Sequence, residues 1–100
     1  MAFYPLERLM NLYDGYRNVF RVAGQSLLLV QDEGRTYLLL NQCPHQRRPL
    51  DRATVAGGTI TCPHHGMCFD LTTGKTSDGC NHPLQFIRIA YEGNQVGVDV

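Results

Sequence analysis

The sequence predicts an all-β fold, an antiparallel β sandwich or partly open barrel. Three observations carry this: β-branched, aliphatic and aromatic residues gather in short runs, glycine-containing turns separate the runs, and no long amphipathic helical period is present. Arg17–Val22 contains Val19, Phe20 and Val22 and reads as a strand. Gly24 turns the chain into Gln25–Gln31, whose leucines and Val30 predict a second strand. Asp32-Glu33-Gly34 is a hairpin connection, and Thr36–Leu40 carries the chain back. These aliphatic stretches are too continuous to alternate cleanly, so each strand is expected to have both faces at least partly covered.

The character changes at Asn41. Residues 41–52 are rich in Cys, Pro, His, Gln and Arg and lack an apolar period, which describes a loop. Thr59–Thr61 is a short strand running into Cys62, and a second Pro- and His-containing loop covers Pro63–Met67. Cys68–Leu71 extends away from it before Thr72-Thr73-Gly74-Lys75 turns the chain. Leu84–Tyr91 and Gln95–Val100 form a last strand pair through Glu92-Gly93-Asn94. The one helix candidate is Leu6–Leu12, opened by Pro5.

A chain of 100 residues makes a single domain over 1–100, and its 43% hydrophobic content supplies a core that disorder would not. Nine basic residues balance nine acidic ones, so nothing favours a non-specific nucleic-acid binder, which needs excess positive charge. The longest aliphatic run, Leu27–Val30, is far too short to cross a bilayer. Met1–Leu12 shows no signal-peptide pattern, so a cytoplasmic location is expected, where the four cysteines stay reduced and metal ligation is a better reading than disulfides.

Two loops supply matched pairs of metal-ligand side chains, Cys43-Pro44-His45 and Cys62-Pro63-His64-His65. Cysteine thiolate suits iron bridged by sulfide, and imidazole can replace two thiolates on the second iron. One Cys and one His from each loop would grip a cluster from two sides, the cysteines on an inner iron and the histidines on an outer one. A zinc site also uses two Cys and two His, but with two to four residues between paired ligands; here one residue separates Cys43 from His45.

The pattern resembles the Rieske family: Cys-any-His, about sixteen residues, then Cys-any-any-His. Sixteen residues, Gln46 to Thr61, separate the two halves here. Pro49-Leu50 is similar to the end of that family's first cluster loop; Gly66, Phe69, Asp70 and Gly74 fit its second loop and following hairpin, and Pro83 fits its proline loop. The resemblance implies one [2Fe–2S] cluster, loops near 42–50 and 62–70, and Cys43, His45, Cys62 and His65 as cofactor and metal ligands. It selects His65 over His64 and leaves His82 as a surface histidine near the rim. Cys68 and Cys80 are then surplus, small reduced side chains in or near the core.

Respiratory Rieske proteins add a cysteine to each loop; the matching positions here are Arg48 and His64, so that bridge cannot form. Where those proteins place Ser and Tyr hydroxyls near the cluster sulfurs, this chain has Met67 and Phe69, which donate no hydrogen bond. Fewer donors stabilise the reduced cluster less and lower its potential. The chain therefore resembles the soluble Rieske ferredoxins of multicomponent oxygenase systems that degrade aromatic hydrocarbons. The resemblance implies a non-catalytic one-electron carrier, monomeric when isolated, between an NAD(P)H-dependent reductase and a terminal oxygenase. A second reading is a small subunit similar to that of assimilatory nitrite reductase. Arg47, where the family commonly has glycine, and Arg48 follow His45 after Gln46 and are candidate docking residues; Arg52 lies nearby. No catalytic residue set is expected.

Overall fold

The computed structural model describes residues 2–42, 49–50, 52–62, 68–76 and 83–99. Nine strands are present among them: β1 (Phe3–Arg8), β2 (Arg17–Val22), β3 (Gln25–Asp32), β4 (Arg35–Leu40), β5 (Thr54–Ala56), β6 (Thr59–Thr61), β7 (Cys68–Asp70), β8 (Ala90–Glu92) and β9 (Gln95–Asp99). They form three antiparallel sheets, in the orders β1-β9-β8, β2-β3-β4 and β5-β6-β7. The all-β expectation holds.

The sheet β2-β3-β4 sits between two apolar clusters, and the period of two along β3 divides them. Leu27 and Leu29 join Val22, Leu38, Val96 and Val98 on one face. Leu28 and Val30 join Leu39, Ile60 and Phe69 on the other. Cross-strand register keeps like with like, since Leu28 faces Leu39 and Leu29 faces Leu38. The unbroken aliphatic run was thus a correct sign of a strand covered on both sides. Each such leucine removed from water contributes about 1.5–3 kcal/mol before the entropy of ordering is subtracted.

The turn joining β3 to β4 has two residues, Glu33 and Gly34, with φ of 51° and 76°. Positive φ at both positions matches the type I′ geometry whose twist suits an antiparallel pair. Asp32, 8% exposed, accepts the Gly58 N–H at 2.6 Å through Oδ2 and so ties the β3–β4 hairpin to the β5–β6 hairpin.

Two expectations fail. Leu6–Leu12 is not a helix: residues to Arg8 belong to β1, and only Leu9–Asn11 forms a 3-10 turn, closed by the Leu12 N–H on the Leu9 carbonyl at 3.1 Å. Pairing with β9, remote in sequence, overrides the helix-like spacing of the leucines. Pro5 is tolerated because β1 is an edge strand, and the register shifts between Pro5 and Glu7. Gly97 fixes the pairing, since a Cβ there would collide with the Tyr4 carbonyl oxygen.

Leu84–Tyr91 is likewise not one strand. Its first part bridges to β4, with Phe86 opposite Leu39, Leu40 N–H donating to the Gln85 carbonyl at 2.8 Å and Ile87 N–H to the Leu38 carbonyl at 2.8 Å. Its last part becomes β8 and pairs with β9. The segment changes sheets midway, so no single ladder can hold it.

Glu7 anchors the 3-10 turn from below. Its carboxylate accepts from Asn11 Nδ2 at 2.9 Å, the Arg8 N–H at 2.9 Å and the Tyr16 hydroxyl at 2.8 Å. These bonds, the Asn11 amide first, hold the Glu7 carboxyl below its ordinary 4.5. Burial, and then the bond to Glu7, push the Tyr16 phenol up from 10.0 to about 12. The favoured forms are therefore a charged Glu7 and a neutral Tyr16. Stability from Glu7 is present above pH 4.5 and lost as pH falls through its depressed value; stability from Tyr16 is present below pH 10 and lost as pH rises toward 12. Thermal unfolding followed against pH should show both declines, and Tyr16→Phe should flatten the alkaline one relative to the original protein.

Candidate metal centre

Of the four sequence-predicted ligands, the structure describes Cys62. Cys43, His45 and His65 lie outside the described residues, as do Arg47, Arg48, His64, Gly66, Met67, Cys80 and His82. Among the described residues no group of three or more His, Cys, Asp or Glu side chains could hold a metal ion.

Cys62 follows β6 directly. Strand alternation sets Ile60 and Cys62 toward one side, and both are fully buried in the cluster that also holds Leu50, Phe69 and Leu84. Thr61 and Cys68 face each other across β6 and β7, so the stretch from Cys62 to Met67 is closed at its base by a ladder pair. Residues 68–70, expected to extend away from the second loop although the family loop near 62–70 takes them in, are strand β7.

A second closure lies at the end of β4. The Leu50 N–H donates to Asn41 Oδ1 at 2.7 Å, joining the two ends of the stretch that contains Cys43 and His45. A third lies beyond β7, where Phe69 bridges to Thr76 and the Leu84 N–H donates to the Gly74 carbonyl at 2.8 Å. Gly74 has φ of 80°, and a Cβ there would come within 2.9 Å of the Phe86 ring, so only glycine lets the β7 turn lie this close to the segment after Pro83. Leu50, Cys62, Phe69 and Leu84, which bound these stretches, share one buried cluster.

The surroundings of Cys62 fit iron–sulfur ligation. Among Leu50, Ile60 and Phe69 the Cys62 side chain packs as a neutral thiol, and as a ligand its thiolate charge would be neutralised by the metal. Cys68, half-buried as expected for a cysteine near the core, has its Sγ 3.4 Å from Thr61 Oγ1. Phe69 is fully buried, and its side chain carries no hydrogen-bond donor. Asp70 sits outside, its carboxyl held below the usual range by the hydroxyl and then the backbone N–H of Thr72. It shapes the turn that Gly74 completes: Gly74 N–H donates to the Asp70 carbonyl at 2.7 Å.

Sequence reasoning missed Asn41. Its signal was a residue able to donate and accept, placed where an apolar strand ends and a ligand-bearing loop begins.

Two Cys- and His-containing stretches of sequence, each flanked by described residues of an all-β scaffold, fit an iron–sulfur domain. The model of the Rieske [2Fe-2S] domain matches residues 2–87, and the chain belongs to that family. Its cofactor is one [2Fe–2S] cluster. The ferredoxin component of the alkene monooxygenase system of Xanthobacter autotrophicus is 32% identical over 87 residues, covering 86% of this chain and 71% of that one. Apoptosis-inducing factor 3 of Mus musculus is 34% identical over 68 residues, but these are 68% of this chain and only 11% of that protein. The solved ferredoxin of carbazole 1,9a-dioxygenase from Nocardioides aromaticivorans superposes with a TM-score of 0.83 at 26% identity, covering 98% of this chain and 97% of the other.

Proposed function

We propose that this protein is a one-electron carrier in which Cys43, His45, Cys62 and His65 hold the [2Fe–2S] cluster. One observation carries the reading: the Asn41–Leu50 bond brackets Cys43 and His45, the Thr61–Cys68 pair brackets Cys62 and His65, and Leu50 and Cys62 belong to the same buried cluster. When bound, the cluster takes up and gives off single electrons. Cys43 and Cys62 would hold one iron, and His45 and His65 would hold the other.

Its place is between an NAD(P)H-dependent reductase and a terminal oxygenase in the cytoplasm, the chain working as a monomer. The support is the likeness to ferredoxin components of oxygenase systems, two of which match this chain over most of their length. Among the described residues no helix is long and apolar enough to cross a membrane. The final substrate belongs to the oxygenase, because the carrier has only to dock and deliver.

Iron and acid-labile sulfide analysis should give about two of each per chain, and Cys43→Ala or Cys62→Ala should abolish assembly. A zinc protein without sulfide would overturn the assignment. Because metal-binding free energy is partly folding free energy, the cluster-free protein should also unfold at lower denaturant concentration.

The potential follows from the side chains beside the cluster. Met67 and the buried Phe69 offer no donors, which puts the midpoint toward the low end of the Rieske range, roughly −150 mV. Voltammetry at neutral pH measures it, and a midpoint well above zero would refute this role for the two residues. Phe69→Tyr and Met67→Ser should each raise it where the new hydroxyl reaches a sulfur.

Arg47 and Arg48 follow His45 in the chain and steer an acidic face of a redox partner to the histidine edge. Replacing both with glutamine should slow second-order electron transfer at low ionic strength, with the difference shrinking as salt is added. Unchanged stopped-flow rates with both partners would remove the arginines from docking and leave the cluster assignment intact.

A further inference from the structure

Asn41 ends the apolar run of β4 and bonds in two directions. Toward β3, its backbone N–H donates to the Ser26 carbonyl at 2.9 Å and its Nδ2 to Ser26 Oγ at 3.2 Å. In the other direction, its Oδ1 accepts the Leu50 N–H at 2.7 Å. Ser26 belongs to the central sheet, where it pairs with Arg21 of β2, so the first two bonds fix the amide plane from behind. Leu50 has no exposed surface.

We propose that Asn41 is the positioning residue of the first cluster loop: its amide clamps Leu50 to Ser26 and thereby fixes both ends of the stretch containing Cys43 and His45. The proposal rests on the ligand assignment made above. It differs from an ordinary packing role in where the free energy acts. Closing a loop costs entropy that a tether at its base offsets. Without the Asn41 oxygen, the Leu50 N–H is left unpaired beside an apolar interior, which raises the free energy of the closed loop. The ladders of the three sheets are untouched. Asn41 therefore acts on the cluster through the loop and touches no reacting atom itself.

Two substitutions separate the clamp from side-chain size. Asn41→Leu keeps the bulk and loses every side-chain hydrogen bond, whereas Asn41→Asp keeps an acceptor for Leu50. In the cluster-loaded protein, loss of visible absorbance after adding an iron chelator should be about tenfold faster in Asn41→Leu, the effect of one lost hydrogen bond. Asn41→Asp should stay within about twofold of the original protein, with an unaltered electron paramagnetic resonance spectrum on reduction. Asp32→Asn, which alters the tie to Gly58 in the same half of the fold, should also leave the bleaching rate within about twofold. Equal rates for Asn41→Leu and the original protein, or for Asn41→Leu and Asn41→Asp, would overturn the clamp. Should Asn41→Leu fail to fold, amide hydrogen exchange in the unsubstituted protein decides: protection of Leu50 matching that of Ile60 supports the proposal, and exchange of Leu50 at the rate of an unbonded amide refutes it. A cluster that survives Cys43→Ala would instead refute the ligand assignment, and the Leu50 exchange result would still report on the tether.

Discussion

The fold depends on a strand that has no wet side. Leu27 and Leu29 of β3 point one way and Leu28 and Val30 the other, and every other layer covers one of these two faces. A sheet buried on both faces has its register fixed twice, because a one-residue slip would exchange the two sets of side chains. That rigidity matters to the loops beyond it. Ser26, at the start of the same strand, holds Asn41, and Asp32, at its end, holds Gly58. Both hairpins that flank the cluster region are thus referred to one strand.

The site is built by the same economy of anchors. Each ligand-bearing stretch is bounded by an apolar residue that is fully buried, Leu50 for the first and Cys62 itself for the second. Loops held at such points can carry polar ligand residues without supplying a core of their own. Cys62 is a core side chain, and under the proposed assignment it would also be an iron ligand. This fits a domain of 100 residues, in which metal binding supplements a limited apolar interior.

Much of this was legible in the sequence, for identifiable reasons. Strands β2, β3 and β4 could be read because their signals are local: β-branched and aliphatic runs, and turns that need positive φ. Thr59–Thr61 could be read because it runs straight into a ligand motif. Strand β1 was misread because Leu6, Leu9 and Leu12 have helical spacing, while its true partner, β9, lies almost the whole chain away. The sheet change within Leu84–Tyr91 left no local mark either, since both halves are equally apolar. The ligand set could be proposed because its spacing resembles a family pattern, whereas the tether at Asn41 could not: a hydrogen bond to Leu50 depends on how the intervening chain returns.

The hydrogen bond from Leu40 to Gln85 has a consequence for descent. The chain leaves β4 after Leu40 and is back beside it at Gln85, so the part between is an insert whose two ends meet, with Ile60 and Phe69 packed in one cluster with Leu28 and Val30. Such an insert can change at its outer turns, whereas Gly58, Ile60 and Phe69, which touch β3 or share its core, can change only in step with the host. Substitutions in the two portions are therefore coupled through one shared core.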